Sequence, residues 1–265
     1  MPSYVIRNVV FIGAGRLATH LAVALTKRNV AVIQVYNWTP ERGKKLAKRI
    51  GAEYISDLAK ITPKADLYVF AVTDSVLPEL TQKIRLKDKL VVHTSGSLDM
   101  KILESVSSRQ GVFYPLQTFT GKKAIPFRNI PICIEAATTS DVDLLDRMAR
   151  LLTDQVYVIN SEKRKWLHMT AVFAGNFSNF MYTIAANLLR EKKLPFDLVK
   201  PLIKQVALNA QHDDLFSLQT GPAVREDSNV LDQHRILLSV YPRYLEIYQL
   251  ISNNIIHYKK EHGKL

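Results

Sequence analysis

The sequence predicts an α/β fold, a doubly wound parallel sheet over residues 1–160, followed by an all-helical domain over residues 161–265. Two observations predict this division. Up to Ile159, short apolar runs of strand type alternate with segments of helical periodicity. This alternation implies parallel strands joined by right-handed helical crossovers. Beyond Ser161 only helical patterns are found.

Each element follows from its local pattern of apolar residues. Strands are predicted where β-branched and aromatic residues form short runs, at Val9–Ile12, Val30–Tyr36, Ala52–Ile55, Leu67–Val72, Leu90–His93, Gly111–Tyr114, Ile132–Glu135 and Val156–Ile159. Helices are predicted where apolar residues recur three and four positions apart, at 17–27, 40–50, 77–84, 98–106, 142–152, 162–190, 197–210, 228–239 and 243–260. The last helix carries an aromatic stripe that indicates a core or a subunit interface.

Composition excludes several classes of protein. The chain has 265 residues, of which 47% are hydrophobic and 23% charged, and no apolar run is long enough to cross a membrane. The single cysteine, Cys133, can form no internal disulfide, so a cytoplasmic location is expected. The net charge is +12, but the basic residues are spread along the chain and no nucleic-acid motif is found. We therefore expect a small-molecule substrate and no nucleic-acid, membrane or metal partner.

The most informative stretch, residues 9–18, reads Val-Val-Phe-Ile-Gly-Ala-Gly-Arg-Leu-Ala. It predicts a buried strand, a tight glycine turn and a helix. Gly13 permits the sharp turn, Gly15 lets the backbone approach a pyrophosphate, and Ala18 allows close helix packing. The free N–H groups at the helix start favour phosphate, so the loop Gly13, Ala14, Gly15, Arg16 and Leu17 is the predicted dinucleotide site. The alternative is a turn that only reverses the chain.

The end of the second strand indicates which dinucleotide binds. An NAD site has a carboxylate here, about 20 residues beyond the glycines, but this chain has Asn37, Trp38 and Thr39. Trp38 can stack on adenine, and Arg42 can neutralise a 2′-phosphate. NADP is therefore favoured, with NAD as the alternative; the basic residues from Arg42 onward can also be a solvated helix face. Two further residues, Val72 and Thr73, are predicted to border the cofactor.

Polar residues after later strands are candidates for the chemistry. His93 and Ser95 follow a strand, and a histidine can give or take a proton near neutral pH. The alternative is a strand-end turn in which Ser97 caps the next helix. Tyr114 and Thr118 follow another strand and are predicted to contact substrate.

The helical domain supplies three more candidates. His168 and Asn176 are eight positions apart, about two helical turns, and can share a face. Arg225 can bind a substrate carboxylate or pair with Asp227.

Four segments together resemble the bacterial Rossmann-type NADP-dependent oxidoreductases whose C-terminal half is a domain of unknown function. These segments are residues 13–18, 93–96, 114–119 and 221–227. The family belongs to the 6-phosphogluconate-dehydrogenase-like and pyrroline-5-carboxylate-reductase-like assemblage. The resemblance implies a helical domain that closes the cleft and helps to form a homodimer, but it implies no substrate.

The chain departs from these relatives at three positions. Related hydroxyacid dehydrogenases have a catalytic lysine one turn before an asparagine; if Asn176 is that asparagine, Val172 replaces the lysine. Tyr114 stands where relatives commonly have histidine, and Glu226 where they commonly have glycine. The leading hypothesis is an NADP-dependent oxidoreductase that transfers hydride to or from a C=O or C=N carbon. The alternative is a non-catalytic dinucleotide-binding sensor or interaction protein.

Overall fold

The computed structural model describes residues 5–120, 125–212 and 214–262. It divides into two compact units, Met1–Asn176 and Phe177–Leu265. The first unit extends beyond the predicted boundary at residue 160 and includes one further helix. The division into folding domains at residues 160 and 161 remains a prediction.

The first unit is built on one eight-stranded sheet with the strand order β3-β2-β1-β4-β5-β6-β7-β8. Its strands are β1 (Asn8–Ile12), β2 (Ala31–Tyr36), β3 (Glu53–Ile55), β4 (Leu67–Phe70), β5 (Leu90–His93), β6 (Gln110–Pro115), β7 (Ile132–Ala136) and β8 (Val156–Val158). Its helices are α1 (Arg16–Thr26), α2 (Pro40–Ile50), α3 (Leu77–Lys83), α4 (Thr139–Arg150) and α5 (Ser161–Ala171). The predicted doubly wound sheet is thereby confirmed.

Residues on alternate sides of the strands form two large hydrophobic clusters, and Val112, Tyr114 and Cys133 form a third, smaller one. On one face Val9 and Phe11 of β1 pack in a cluster with α1, α2 and α4. On the other face Val10 and Ile12 pack with α3. Strands covered on both faces are apolar at every position, which is why β1 reads as a continuous apolar run.

Two local predictions were wrong. The pairing of β6 with β7 is antiparallel, because the described residues between the two strands form no crossover helix, which a parallel pairing would need. The predicted helix at 98–106 is only a 3₁₀ turn, Met100–Leu103. Here the Leu98 carbonyl accepts from Arg164 instead of from the next helical turn.

The second unit is helical, with α6 (Ser178–Glu191), α7 (Lys200–Asn209), α8 (Pro222–Arg225), α9 (Ser228–Leu238) and α10 (Pro242–His262). The predicted helix over 162–190 comprises α5, a π-helical segment Val172–Phe177 that runs across the unit boundary, and α6. Among the described residues of this unit, only Ala223, Leu231 and Ser252 are buried. No described helix is both long enough and apolar enough to span a membrane.

Candidate functional site

Gly13 forms the turn between β1 and α1 because no other residue fits there. Its φ is +113°, and a Cβ would lie 2.3 Å from the Ala71 carbonyl oxygen of the neighbouring strand end. Its N–H donates to the Tyr36 carbonyl at 2.8 Å. The turn is thus fixed between β2 and the end of β4, as the glycine motif requires.

Gly15 differs from Gly13 in its surroundings. It is the N-cap of α1, has an extended backbone, and a Cβ there would meet nothing within 4 Å. The first turn of α1 contains no acidic residue. Arg16 is exposed and Leu17 half-buried. The free N–H groups of the helix start therefore face open space that suits an anion.

Asn37 has a structural role that its sequence position did not reveal. Its Oδ1 accepts from the Ala14 N–H at 2.9 Å, and its Nδ2 donates to the Thr39 carbonyl at 2.8 Å. The Tyr54 hydroxyl donates to the Asn37 carbonyl at 3.2 Å. The side chain of Asn37 thus joins the glycine turn to the residues after β2, and both its amide atoms have partners within the protein.

The other predicted cofactor residues are at the same edge of the sheet. Trp38 is 84% exposed, and Thr39 and Arg42 are also exposed. At the end of β4, Val72 Cγ1 lies 3.0 Å from the Cβ position of Gly13. The exposed Thr73 Oγ1 is 3.2 Å from Ser75 Oγ. Large exposed side chains such as Trp38 are available to stack on a flat ligand.

His93 was predicted to carry a proton, but its environment differs from the exposed site that this role suggests. It is fully buried, and its Nδ1 accepts from the Ser95 N–H at 3.1 Å. Burial, followed by the nearby charge of Arg164, lowers the pKa of His93 to about 4. Ser95 Oγ accepts from the N–H groups of Ser97 and Leu98, both at 3.0 Å. Both side chains therefore shape the strand-end turn, and the ring of His93 is neutral at pH 7.

Tyr114 and His168 form a contact that joins two of the predicted segments. The Tyr114 hydroxyl lies 3.0 Å from His168 Nδ1, and the two rings meet edge to face. Gly96 makes room for this pair, since a Cβ there would lie 2.6 Å from His168 Cγ and Nδ1. Burial raises the pKa of Tyr114 to about 12. Its hydroxyl therefore keeps its proton throughout the neutral range.

A buried ion pair holds the helix that carries His168, and sequence reasoning missed it. Arg164 has no exposed surface and donates to Glu135 of β7 and to the Leu98 carbonyl. Ser161 Oγ donates to Glu135 at 2.7 Å and accepts from the Met100 N–H at 3.0 Å. Arg164 lies one helical turn before His168, so this network positions α5 against the loop after β5. The only sign of this role in the sequence is that Arg164 stands four residues before His168, on the same face of a predicted helix.

Removal of the carboxylate partner of Arg164 should strongly destabilise the first unit. We expect Glu135→Ala to lower the free energy of unfolding by about 3 kcal/mol, because it leaves a buried guanidinium unpaired. Asp146→Ala, which removes the exposed Arg150–Asp146 pair, should cost less than about 1 kcal/mol. Urea unfolding of both variants measures this difference. Equal losses in the two variants would contradict the positioning role.

The structure does not bring the other predicted site residues together in one cluster. Thr118 is exposed, with Oγ1 3.8 Å from the Cβ position of Gly175. Asn176, also exposed, is the last residue of the first unit and lies in the π-helical segment. The wider π turn changes the α-helical spacing on which the shared face with His168 was predicted. Arg225 is exposed at the end of α8 in the second unit.

Comparisons with known proteins match the two halves of the chain separately. Residues 5–118 match a Rossmann-like domain, and residues 130–255 match a domain of unknown function, DUF2520. No curated protein shows a significant match.

Several solved structures are similar over nearly the whole chain. A Bacteroides fragilis protein, provisionally described as an NADP oxidoreductase, is 41% identical with a TM-score of 0.90, covering 95% of this chain and 98% of that chain. A reductive aminase from Aspergillus terreus, in complex with NADPH and ethyl-5-oxohexanoate, has 16% identity, a TM-score of 0.68 and coverage of 98% and 95%. A pyrroline-5-carboxylate reductase from Coxiella burnetii has 14% identity, a TM-score of 0.59 and coverage of 94% and 98%.

The last two similarities show the fold alone, whereas the first extends to the sequence. The predicted resemblance is confirmed by these matches. The chain belongs to the family of proteins that join an N-terminal Rossmann-like domain to the domain of unknown function DUF2520.

Proposed function

We propose that this protein is an NADP-dependent oxidoreductase that acts on a C=O or C=N carbon of a small polar metabolite. The open space in front of Gly15, at the start of α1, is the observation that carries the proposal. The relatives described as an NADP oxidoreductase and as a reductive aminase bound to NADPH support the same chemistry. A cytoplasmic location, expected from the single cysteine, is part of this proposal.

The residues present fit a phosphorylated dinucleotide. Gly15 and the N–H groups of the first turn of α1 would hold the pyrophosphate, and Trp38 would cover the adenine. Arg42 would pair with the 2′-phosphate, because a guanidinium matches phosphate geometry. When bound, the nicotinamide supplies or accepts the hydride.

The chain's own part in the reaction is to move a proton and to orient the substrate. We assign the proton to the Tyr114 hydroxyl, which stays protonated at neutral pH and is hydrogen-bonded to His168. His93 and Ser95, the residues first predicted for this step, would support the turn beside it. Thr118, Asn176 and Arg225 stay as proposed contacts to substrate, with Arg225 suited to a carboxylate.

A turnover assay tests the proposal. Keto acids, and ketones mixed with amines to form imines, are incubated with NADPH, and cofactor oxidation is followed by its absorbance. Turnover that depends on Tyr114 supports the oxidoreductase. Tight NADPH binding without turnover on any substrate would favour the sensor alternative. The reason to consider it is Val172, which stands where related hydroxyacid dehydrogenases have a catalytic lysine.

Charge removal at Arg42 should change the choice of cofactor. We expect Arg42→Gln to weaken NADPH binding about tenfold, or about 1.4 kcal/mol, and to leave NADH binding unchanged. Lys48→Gln on the same helix is the control, since Lys48 is exposed and away from the glycine turn. Fluorescence titration measures both affinities. Equal weakening for NADPH and NADH would refute 2′-phosphate recognition.

We also propose that the chain forms a homodimer through its second unit. With three buried side chains among its described residues, this unit has too little core to be stable alone. Ile236, Leu237, Val240 and Leu250 are each between 65% and 72% exposed. Apolar surface of this extent is typical of an interface between subunits. A second copy, with the same exposed helices, is the partner we propose.

Light scattering should give twice the chain mass of 30.1 kDa. Leu237→Lys should shift the protein toward monomer, because it places a charge on the apolar surface. Val158→Lys changes a residue of similar exposure in the first unit and should leave the dimer intact. A wild-type protein that is monomeric at micromolar concentration would exclude this interface.

A further inference from the structure

A long basic groove runs beside α1 in the first unit and has a volume of about 1020 Å³. At one end it includes Ala14 and Gly15 of the glycine turn. Its remaining lining comes from α1, α2 and the segment before β7, with Leu152. The groove is therefore continuous with the proposed cofactor site but is not confined to it.

The charges that line this groove are all positive. Its cations are Arg16, Lys27, Arg28, Arg42, Lys45, Arg49 and Arg128, and its lining contains no aspartate or glutamate. Within residues 5–120, 125–212 and 214–262, none of these seven side chains forms an ion pair. Elsewhere in the same unit, Arg109, Arg150 and Arg164 do have carboxylate partners. Seven uncompensated cations around one concavity indicate a site for anions.

These cations extend further than one dinucleotide requires. Both α1 and α2 begin at the carboxyl edge of the parallel strands, so Arg16 and Arg42 lie at that edge. Lys27 follows Arg16 by eleven residues, a helical rise of about 16 Å, and Arg49 follows Arg42 by about 10 Å. A pyrophosphate at Gly15 and a 2′-phosphate at Arg42 leave the charges at the far end unneutralised.

The middle of the groove is lined by uncharged and apolar side chains as well as by cations. The rings of His20 and Phe119 are in contact, with their centroids 5.2 Å apart and their planes tilted by 37°. Burial and the charge of Arg49 lower the pKa of His20, so its ring adds no charge at neutral pH. Val23, Ala24 and Leu46 also line the groove. Because the cations are distributed along an apolar surface, the groove suits a compact ligand that carries more than one phosphate group.

We infer that the far end of this groove, formed by Lys27, Arg28 and Arg49, binds a second anionic small molecule that carries at least two phosphate groups. It binds at the same time as the dinucleotide. The groove has the size of small-molecule sites, and five of its seven cations are arginines, whose planar forks match phosphate oxygens. Of the two aromatic rings in its lining, Phe127 is buried and His20 is half-buried, so the lining has no fully exposed ring of the kind on which bases stack in single-stranded nucleic-acid sites. The inference does not depend on the redox reaction.

Inorganic tripolyphosphate is the probe, titrated calorimetrically into the full chain with and without saturating NADPH. We expect binding under both conditions. The triple variant Lys27→Gln, Arg28→Gln, Arg49→Gln should weaken tripolyphosphate binding at least about 30-fold and change the NADPH affinity less than about twofold. The control triple Lys44→Gln, Lys48→Gln, Lys64→Gln removes the same charge from exposed positions that do not line the groove, and it should bind tripolyphosphate as the wild type does.

Three outcomes would overturn the inference. Displacement of tripolyphosphate by NADPH would show one shared site. Equal weakening in the two triple variants would show attraction to net charge only. Tighter binding of an acidic peptide or a single-stranded oligonucleotide than of tripolyphosphate would assign the groove to another class of partner. If NADPH itself does not bind, the proposed cofactor fails, but the titration without NADPH still tests the groove.

Discussion

Replacement of Gly15 by aspartate is expected to raise the Kd for NADPH at least about 100-fold in a protein that remains folded. The new carboxylate would occupy the space proposed for the pyrophosphate, and such like-charge contacts cost several kcal/mol. The fold should tolerate it, since a Cβ at Gly15 meets nothing within 4 Å. A carboxylate at the start of α1 also interacts favourably with the helix dipole.

Two glycine variants serve as controls for this result. Gly15→Ala should bind NADPH much more tightly than Gly15→Asp, because it adds no charge. Gly13→Ala should instead destabilise the fold by about 3 kcal/mol, since a Cβ there meets the Ala71 carbonyl oxygen at 2.3 Å. Fluorescence titration and urea unfolding separate the two effects. Unchanged NADPH affinity in Gly15→Asp would remove the cofactor from this turn.

The second large effect is expected at Tyr114. Tyr114→Phe should lower turnover about 100- to 10,000-fold on any substrate found in the assay, the range typical of general acid catalysis. The Kd for NADPH should remain within about twofold of wild type, because Tyr114 lies away from the glycine turn. The variant should fold, since phenylalanine keeps the ring that packs in this buried position.

A double-mutant cycle tests whether Tyr114 and His168 act together. His168→Gln should also reduce turnover, and the double variant should be little slower than Tyr114→Phe alone, because residues that act as a unit are not additive. Undiminished turnover in Tyr114→Phe would show that a group other than Tyr114 transfers the proton. An acid limb of the rate near pH 4 that persists in Tyr114→Phe would implicate His93, whose pKa is about 4.

The fold was largely predictable because local patterns determine most of it. The apolar runs of the central strands β1, β4 and β5 mark strands that are buried on both faces, and this burial forces their apolar composition. Gly13 was predictable for a different reason. Its positive φ and the contact with Ala71 leave only glycine possible, and that requirement is visible as a spaced pair of glycines.

The features that could not be predicted all depend on contacts between distant parts of the chain. Arg164 is buried only because Glu135 and the Leu98 carbonyl surround it. The same contact shortens the predicted helix after Leu98. His93 was predicted to carry a proton from its strand-end position alone, but its burial depends on the elements packed around it. Asn37 was predicted as a cofactor residue at the end of the second strand, and its amide bonds to Ala14 and Thr39, which hold the glycine turn, depend on the folded arrangement of the two segments.

The sequence predicted both Tyr114 and His168 as site residues, but it did not predict their contact. Both residues were candidates, each after or within a predicted element, but nothing in their spacing joins them. Gly96 is the residue that permits the contact, and its lack of a side chain gave no sign of what it would face.

A crystal structure of the full chain grown with NADP⁺ is the most direct test of the proposed cofactor site. We expect the pyrophosphate within hydrogen-bond distance of the backbone N–H groups of Gly15 and Arg16, with the 2′-phosphate beside Arg42 and the nicotinamide toward Tyr114. A dinucleotide bound elsewhere, or electron density for none at saturating concentration, would contradict the assignment of this protein as an NADP-dependent oxidoreductase.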